Sequence, residues 1–292
     1  MKLLKFHICG LLRNLRNIFS EDIDRTFAET VLQNLKDGVL TGKQFPFRYW
    51  SAIEAIDNAQ NINYKSLVFD ALQECLDISI NNMPRLSGKT VCLSDNSGSA
   101  WGSITSEYGS VKVAQIDNLS SVITCANSDE GYVVKFGDHF KEYAITKRDG
   151  ILTQTKLINQ ETGYDVGVST ENGIWEYLEK IITKKEHIDN LFIYSDMQAG
   201  HGGLYGIGSS YVINGEDYSV HNRYIDVLKL INKYRKEVNP KVNVFSVQTA
   251  GFSNSIIPES LYRGAILSGW TGKESIFADK IIKTWDSIEE NN

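Results

Sequence analysis

The fold is decided by one stretch of sequence, Val91-Cys92-Leu93-Ser94-Asp95-Asn96-Ser97-Gly98-Ser99. Its apolar first half predicts a short buried strand, and its polar second half predicts a turn at the carboxyl end of that strand. Asp95, Ser97 and Ser99 would therefore project from a single strand end. One carboxylate and two hydroxyls suit a hard divalent cation such as Mg²⁺, which prefers oxygen ligands and keeps part of its water shell.

After Gly88 the sequence alternates between strand and helix patterns. The predicted strands cover residues 90–94, 132–136, 142–146, 191–195 and 242–247, and the predicted helices cover residues 112–126, 173–183 and 224–237. Strands separated by helical crossovers form a mostly parallel sheet with helices on both faces. The prediction for residues 87–292 is thus an α/β domain of the Rossmann-like kind, with its ligand at the carboxyl ends of the strands.

Residues 1–86 have a different pattern, in which apolar residues recur at spacings of three and four. This spacing predicts a set of short amphipathic helices that ends at the linker Asn81-Asn82-Met83-Pro84. Lys5, His7 and Arg13 interrupt the apolar run at the start of the chain, so we expect no signal peptide. No stretch is long enough to span a bilayer, and the expected location is the cytoplasm.

Charge and motifs together favour a binding protein without catalytic activity. The net charge is −6, and the residues after 87 hold 20 Lys and Arg against 26 Asp and Glu. Gly88-Lys89-Thr90 lacks the earlier glycine of a P-loop, and no serine stands in the G-x-S-x-G context of a hydrolase. Ser97 occupies the position where a haloacid-dehalogenase-type phosphatase has its second aspartate.

The D-x-S-x-S spacing that begins at Asp95 resembles the metal-ion-dependent adhesion site of von Willebrand factor A domains. That family also uses a threonine on a second loop and an aspartate at the end of the fourth strand. Thr170 and Asp196 occupy these two positions in the expected order. The resemblance therefore implies a site for Mg²⁺, or for Mn²⁺, whose ligands are Asp95, Ser97, Ser99, Thr170 and Asp196.

The sequence does not decide which hydroxyl of the second loop binds the metal. Val168 and Ser169 stand where the family usually has a pair of glycines. Ser169 therefore competes with Thr170 as the hydroxyl ligand of this loop.

Four further segments resemble the bacterial members of the Ro/TROVE family. They are Arg13-Asn14-Leu15-Arg16-Asn17-Ile18, Pro46-Phe47-Arg48-Tyr49, Tyr194-Ser195-Asp196-Met197-Gln198 and Leu267-Ser268-Gly269-Trp270. Members of this family join a ring of HEAT-like helical repeats to an A-type domain, and they bind Y RNAs, other non-coding RNAs and misfolded RNA. The resemblance implies RNA binding, with no individual contact residue assigned, and residues 1–86 resemble only the end of such a ring.

Three functions stay open at the level of sequence. The first is RNA binding of the Ro type. The second is a protein-interaction module in which the ion takes an acidic group from a partner protein, as the excess of acidic residues in the A-type domain suggests. The third is a metal-dependent phosphoesterase, suggested only by a cation beside the glycine- and tyrosine-rich loop of residues 197–221.

Overall fold

A computed structural model describes the chain over residues 8–102, 111–160, 165–169, 171–196, 212–213, 216–217, 219–220, 224–225, 227–250, 256–270 and 273–291. The chain divides into two compact units. The helical unit extends to Pro84 and also contains Lys147–Thr153, and the sheet unit comprises Arg85–Thr146 and the residues from Gln154 onward. Within the described ranges, no helix is long and apolar enough to cross a membrane.

The described part of the helical unit before Pro84 contains five helices and a 3₁₀ turn. They are α1 (Ile8–Ser20), α2 (Arg25–Asp37), α3 (Val39–Gly42), α4 (Pro46–Asp57) and α5 (Lys65–Ser79), followed by the turn Ile80–Asn82. Helix α1 buries Leu11, Leu15 and Phe19, which lie four residues apart and so share one face. The apolar periodicity of the sequence therefore corresponds to the buried faces of these helices.

Helix α2 begins at a side-chain cap, whose contribution to the stability of the helical unit can be tested. Asp24 precedes the helix, and its carboxylate accepts a hydrogen bond from the Phe27 backbone N–H at 2.8 Å. We expect Asp24→Ala to lower the free energy of unfolding by about 1 kcal/mol, because one N–H of the first turn loses its partner. Urea denaturation followed by circular dichroism measures this change. Asp22→Ala removes an exposed aspartate just before the helix, and an equal loss there would contradict the capping role.

The sheet unit contains a six-stranded sheet whose order is β10-β9-β4-β1-β2-β3. The strands are β1 (Leu86–Asp95), β2 (Ser128–Phe136), β3 (Phe140–Ile145), β4 (Asn190–Ser195), β9 (Asn243–Gln248) and β10 (Gly264–Ser268). Only β3 runs antiparallel, in a hairpin with β2, and the other neighbouring strands are parallel. The predicted α/β fold class with a mostly parallel sheet is confirmed.

Helices cover both faces of this sheet. They are α6 (Gly98–Gly102), α7 (Val113–Ala126), α8 (Ile151–Gln160), α9 (Gly173–Thr183), α10 (Val227–Glu237) and α11 (Glu274–Glu290). Val91 and Leu93 of β1 join the apolar core formed with α9 and α10. Successive residues of a strand point to opposite faces. Ser94 accordingly points to α7, where its hydroxyl contacts Asn118.

Several details differ from the sequence prediction. Strand β10 and helices α6, α8 and α11 were not predicted, and the helix expected from residue 224 begins at Val227. The preceding pair, β8 (Tyr224–Ile225), instead forms a short ladder with β7 (Ser219–Val220). Most of the predicted loop of residues 197–221 lies outside the described residues, which there include β5 (Val212–Ile213), β6 (Glu216–Asp217) and β7.

The strand order changes direction at β1. The chain first adds β2 and β3 on one side of β1 and later adds β4, β9 and β10 on the other. Connections on the two sides diverge at such a switch point and leave a crevice at the carboxyl ends of the central strands, where ligands of open α/β sheets bind. Asp95 ends β1, and Asp196 follows β4 directly.

Candidate metal centre

Three of the predicted site residues lie together after β1. Asp95 is fully buried, and its Oδ1 accepts a hydrogen bond from the Ser97 backbone N–H at 2.9 Å. Its Oδ2 accepts a hydrogen bond from the Ser195 hydroxyl at 2.7 Å. The hydroxyls of Ser97 and Ser99 are 3.1 Å apart. The turn thus gathers one carboxylate and two hydroxyls at a single strand end.

The backbone of this turn is held by its two flanking loops. The Asn96 N–H donates to the Phe136 carbonyl at 2.8 Å, and the Gly98 N–H donates to the Val168 carbonyl at 2.9 Å. A Cβ atom at Gly98 would lie only 2.7 Å from that carbonyl oxygen. A side chain there would push the second loop away, so glycine is required where the two loops meet.

A buried amide cluster fixes the turn from the side of α7. The Asn118 Oδ1 accepts hydrogen bonds from the Ser94 hydroxyl at 2.6 Å and from the Asn96 side-chain amide at 2.9 Å. The Asn118 amide nitrogen donates to Asn96 Oδ1 at 3.1 Å and to Asn159 Oδ1 of α8 at 2.8 Å. Because buried amides with satisfied hydrogen bonds have few alternative arrangements, the cluster holds the turn in one conformation.

Asp196 lies beside Asp95 at the end of β4 and is fully buried as well. The adjoining Ser195 carbonyl accepts two hydrogen bonds from Thr249, from its backbone N–H at 3.1 Å and from its hydroxyl at 3.0 Å. Burial, followed by the charge of Asp196, raises the pKa of Asp95 to about 7, although hydrogen bonds from Ser97 and Ser195 oppose the rise. The two carboxylates therefore repel each other when both are ionised.

The predicted second loop is described only in part. Ser169 is exposed, and Thr170 lies outside the described residues. The start of the loop is anchored by an ion pair between Lys135 and Asp165, whose Nζ and Oδ1 atoms are 2.7 Å apart. Lys135 is fully buried and also donates to the Ile158 carbonyl at 3.0 Å.

Two more carboxylates belong to this region, and the sequence prediction missed both. Asp117 of α7 is 0% exposed, and Glu171, just before α9, is 9% exposed. Both carboxylate oxygens of Asp117 and the Oε2 of Glu171 lack a hydrogen-bond partner in the described part of the chain. One signal was available: three or four residues from Asp117 along the helix stand Val113, Ala114, Ser120 and Ser121, which are small or apolar and indicate a buried face.

The pKa values of these two groups rise because of their surroundings. Burial, and then the charge of Asp95, raises the pKa of Asp117 well above its usual range, while nearby Thr249 opposes the rise. Burial and the charges of Asp95 and Asp196 raise the pKa of Glu171 to about 8. Burial and mutual repulsion therefore disfavour the ionised forms of these carboxyl groups, and an added cation would stabilise those forms.

The donor set suits a hard cation bound in part by hydroxyls and water. Within the described residues, no three Asp, Glu, His or Cys side chains converge as a group able to hold a metal. A metal in this crevice would consequently need the Ser97 and Ser99 hydroxyls and water beside its carboxylates. Mg²⁺ and Mn²⁺ accept such oxygen ligands.

Comparison with known proteins gives a structural likeness without a match in sequence. No protein-family model matches the chain, and no curated protein matches it in sequence. The crystal structure of the Ro (RSR) protein of Deinococcus radiodurans is similar, with a TM-score of 0.65 and 15% identity over 92% of this chain and 52% of that chain. The chain has a Ro-like fold. It spans about half the length of this Ro protein.

A second solved structure is less similar. Proximal thread matrix protein 1 of the mussel byssus gives a TM-score of 0.35 and 16% identity over 76% of this chain and 52% of that chain. This similarity is too low to support an argument about fold or function.

Proposed function

We propose that the protein is a non-catalytic RNA-binding protein of the Ro/TROVE type, with a divalent cation bound at the strand ends of its A-type domain. The observation that carries the proposal is the Ro-like fold, which extends over 92% of the chain. The four segments that resemble Ro/TROVE sequences support it independently of the fold. They lie in both units, so the likeness is not limited to the common Rossmann-like sheet.

Helix α1 offers a basic face for phosphate contacts. Arg13 and Arg16 belong to one of the Ro-like segments and are exposed, whereas Leu11 and Leu15 are buried. In the described residues, neither arginine forms an ion pair with a carboxylate within 4.0 Å. Arginine side chains at such positions bind phosphate oxygens and position an RNA without reading its sequence. We propose Arg13 and Arg16 as RNA contacts.

The proposed cation is Mg²⁺, with Mn²⁺ as the alternative. Asp95, Ser97, Ser99 and Asp196 would hold it, together with a hydroxyl of Ser169 or Thr170. The buried carboxylates of Asp95 and Asp196 and the paired hydroxyls support this proposal, because they place oxygen ligands together at the strand ends. When bound, the ion would supply positive charge for an acidic or phosphate group of a partner.

RNA binding is tested by purifying the protein from its native host without nuclease, at about 50 mM salt, where phosphate contacts are strongest. A full-length Ro protein carried through the same steps is the control. We expect a discrete structured RNA to co-purify and to be identified by sequencing. If the control carries RNA and this protein carries none, the proposal of RNA binding is wrong.

The basic face has a separate test. In Arg13→Ala/Arg16→Ala we expect weaker binding of all RNAs tested, and a salt dependence whose logarithmic slope falls by about 0.7 for each lost single-strand phosphate contact. The matched control Lys184→Ala/Lys280→Ala removes the same charge from exposed positions of the sheet unit. Equal loss of affinity in both double variants would indicate only a general effect of charge.

A second candidate function follows from the acidity of the strand-end crevice. A metal ion held at Asp95 and Asp196 can also take a carboxylate from a partner protein. This function predicts a protein partner that Asp95→Ala loses and that nuclease treatment leaves bound. Loss of the partner on nuclease treatment would instead favour an RNA bridge.

A further inference from the structure

We infer that Asp117 is an additional carboxylate of the cation site, acting on the ion through the water that the ion retains. This inference rests on the proposed cation site and adds a residue outside the D-x-S-x-S turn, the second loop and the end of β4. Asp117 lies in the first half of α7, and its side chain is fully buried. Asp117 thus lies in a helix, whereas the predicted ligands Asp95 and Asp196 stand at the carboxyl ends of strands.

The first argument is the absence of a structural role for its charge. Two other buried polar residues of α7 have partners: Asn118 belongs to the amide cluster, and the Thr124 hydroxyl lies 2.7 Å from the Tyr194 hydroxyl. Neither carboxylate oxygen of Asp117 has a hydrogen-bond partner in the described part of the chain. Thr249 is nearby, but its hydroxyl donates to the Ser195 carbonyl. A buried carboxylate without compensation is costly, so a purely structural explanation fails.

The second argument is the position of Asp117 relative to the two aspartates of the site. The next residue, Asn118, hydrogen-bonds Ser94 and Asn96, which stand on either side of Asp95, so this turn of α7 lies against the end of β1. The charges that act most on the Asp117 carboxylate are accordingly those of Asp95 and Asp196. The same two aspartates act on Glu171. The principal charged groups around Asp117 are thus acidic and lie at the proposed cation site. A divalent cation there would be the counter-charge that the buried carboxylate needs.

The third argument concerns the type of contact. No three acidic, histidine or cysteine side chains of the described ranges converge as a direct ligand group. Asp117 is therefore assigned to the water retained by the ion and not to its direct ligands. Mg²⁺ retains several waters, and carboxylates accept hydrogen bonds from water bound to an ion. In this position Asp117 strengthens ion binding and orients the water molecules that are bound to the ion.

The test uses the whole chain and the variant Asp117→Asn, which keeps the size of the side chain and removes its charge. We expect two changes of opposite sign. Without metal the variant has a higher urea midpoint than the wild type, because it lacks the buried carboxylate that Asp95 and Asp196 repel. Its affinity for Mg²⁺ and Tb³⁺ falls by about 10- to 100-fold, the loss typical of second-layer partners of a metal. The luminescence lifetime of bound Tb³⁺, which reports its water ligands, stays at the wild-type value.

Ser121→Ala is the matched control, because Ser121 lies one turn further along α7, is fully buried and also lacks a hydrogen-bond partner among described residues. We expect its metal affinity to equal that of the wild type. If Asp117→Asn fails to fold, Asp117→Ser provides the neutral side chain instead.

The outcomes separate this inference from the proposed site. Wild-type affinity in the neutral variants would overturn the inference while leaving the cation site in place. A gain of one water on Tb³⁺ would show direct ligation and overturn the assignment to the water shell. Absence of metal binding by the wild type would overturn the proposed site itself.

Discussion

The variant Lys135→Met is expected to lower the free energy of unfolding of the sheet unit by about 2–3 kcal/mol, the usual cost of losing hydrogen bonds to a buried charged group. Lys135 is 0% exposed, and its Nζ lies 2.7 Å from Asp165 Oδ1. The same ammonium donates to the Ile158 carbonyl at 3.0 Å. Methionine fills a similar volume, so the loss would come from the missing ion pair with Asp165 and the missing hydrogen bond to the Ile158 carbonyl.

Urea denaturation followed by tryptophan fluorescence measures this loss, and two further variants show its origin. Lys141 lies 3.8 Å from Asp165 Oδ2 and is 45% exposed, so Lys141→Met should cost at most about 1 kcal/mol. Lys135→Met/Asp165→Asn should lose little more than Lys135→Met alone, because Asp165 contributes to stability mainly through its ion pair with Lys135. A loss below about 1 kcal/mol in Lys135→Met would contradict the role of the Lys135–Asp165 ion pair as the anchor of the second loop.

The parts of the fold that could be predicted are those with a strong local pattern. The apolar run before Asp95 predicted β1, and the periodicity of residues 173–183 predicted α9 with its observed ends. Burial on both faces makes the central strands continuously apolar. The turn after β1 was predictable because polar and glycine residues follow that strand at once. Local sequence was therefore enough for elements whose burial follows one pattern along their whole length.

The missed parts depend on partners far along the chain. Lys135 follows a strand pattern in which a lysine normally faces solvent, and only the distant Asp165 explains its burial. Asp117 looks like a polar position of a helix until β1 and β4 place Asp95 and Asp196 beside it. Strand β10 has only five residues and, lying at the sheet edge, is mostly half-buried, so its pattern is weak. No periodicity within one element could reveal these contacts.

Metal binding should add stability that depends on Asp95. At about 100 times its dissociation constant, Mg²⁺ that binds only the folded state raises the free energy of unfolding by about 2.7 kcal/mol. We expect the wild type to show this increase and Asp95→Asn to lose it. Asparagine can still accept from the Ser97 N–H, and its amide can donate to the Ser195 hydroxyl, so the turn retains its two contacts while losing the charge. Unfolding in urea with Mg²⁺ and with EDTA measures the difference.

Asp196→Ala is expected to lose the same increase, because it removes the carboxylate that follows β4. Asp57→Asn is the matched control, since Asp57 is an exposed aspartate of the helical unit and its replacement changes the net charge equally. It should retain the full shift of about 2.7 kcal/mol. A wild-type shift that persists in Asp95→Asn and Asp196→Ala would mean that the ion binds elsewhere. Equal loss in Asp57→Asn would mean that Mg²⁺ acts on the overall charge, because only a localised site distinguishes the aspartates at the strand ends from Asp57 in α4.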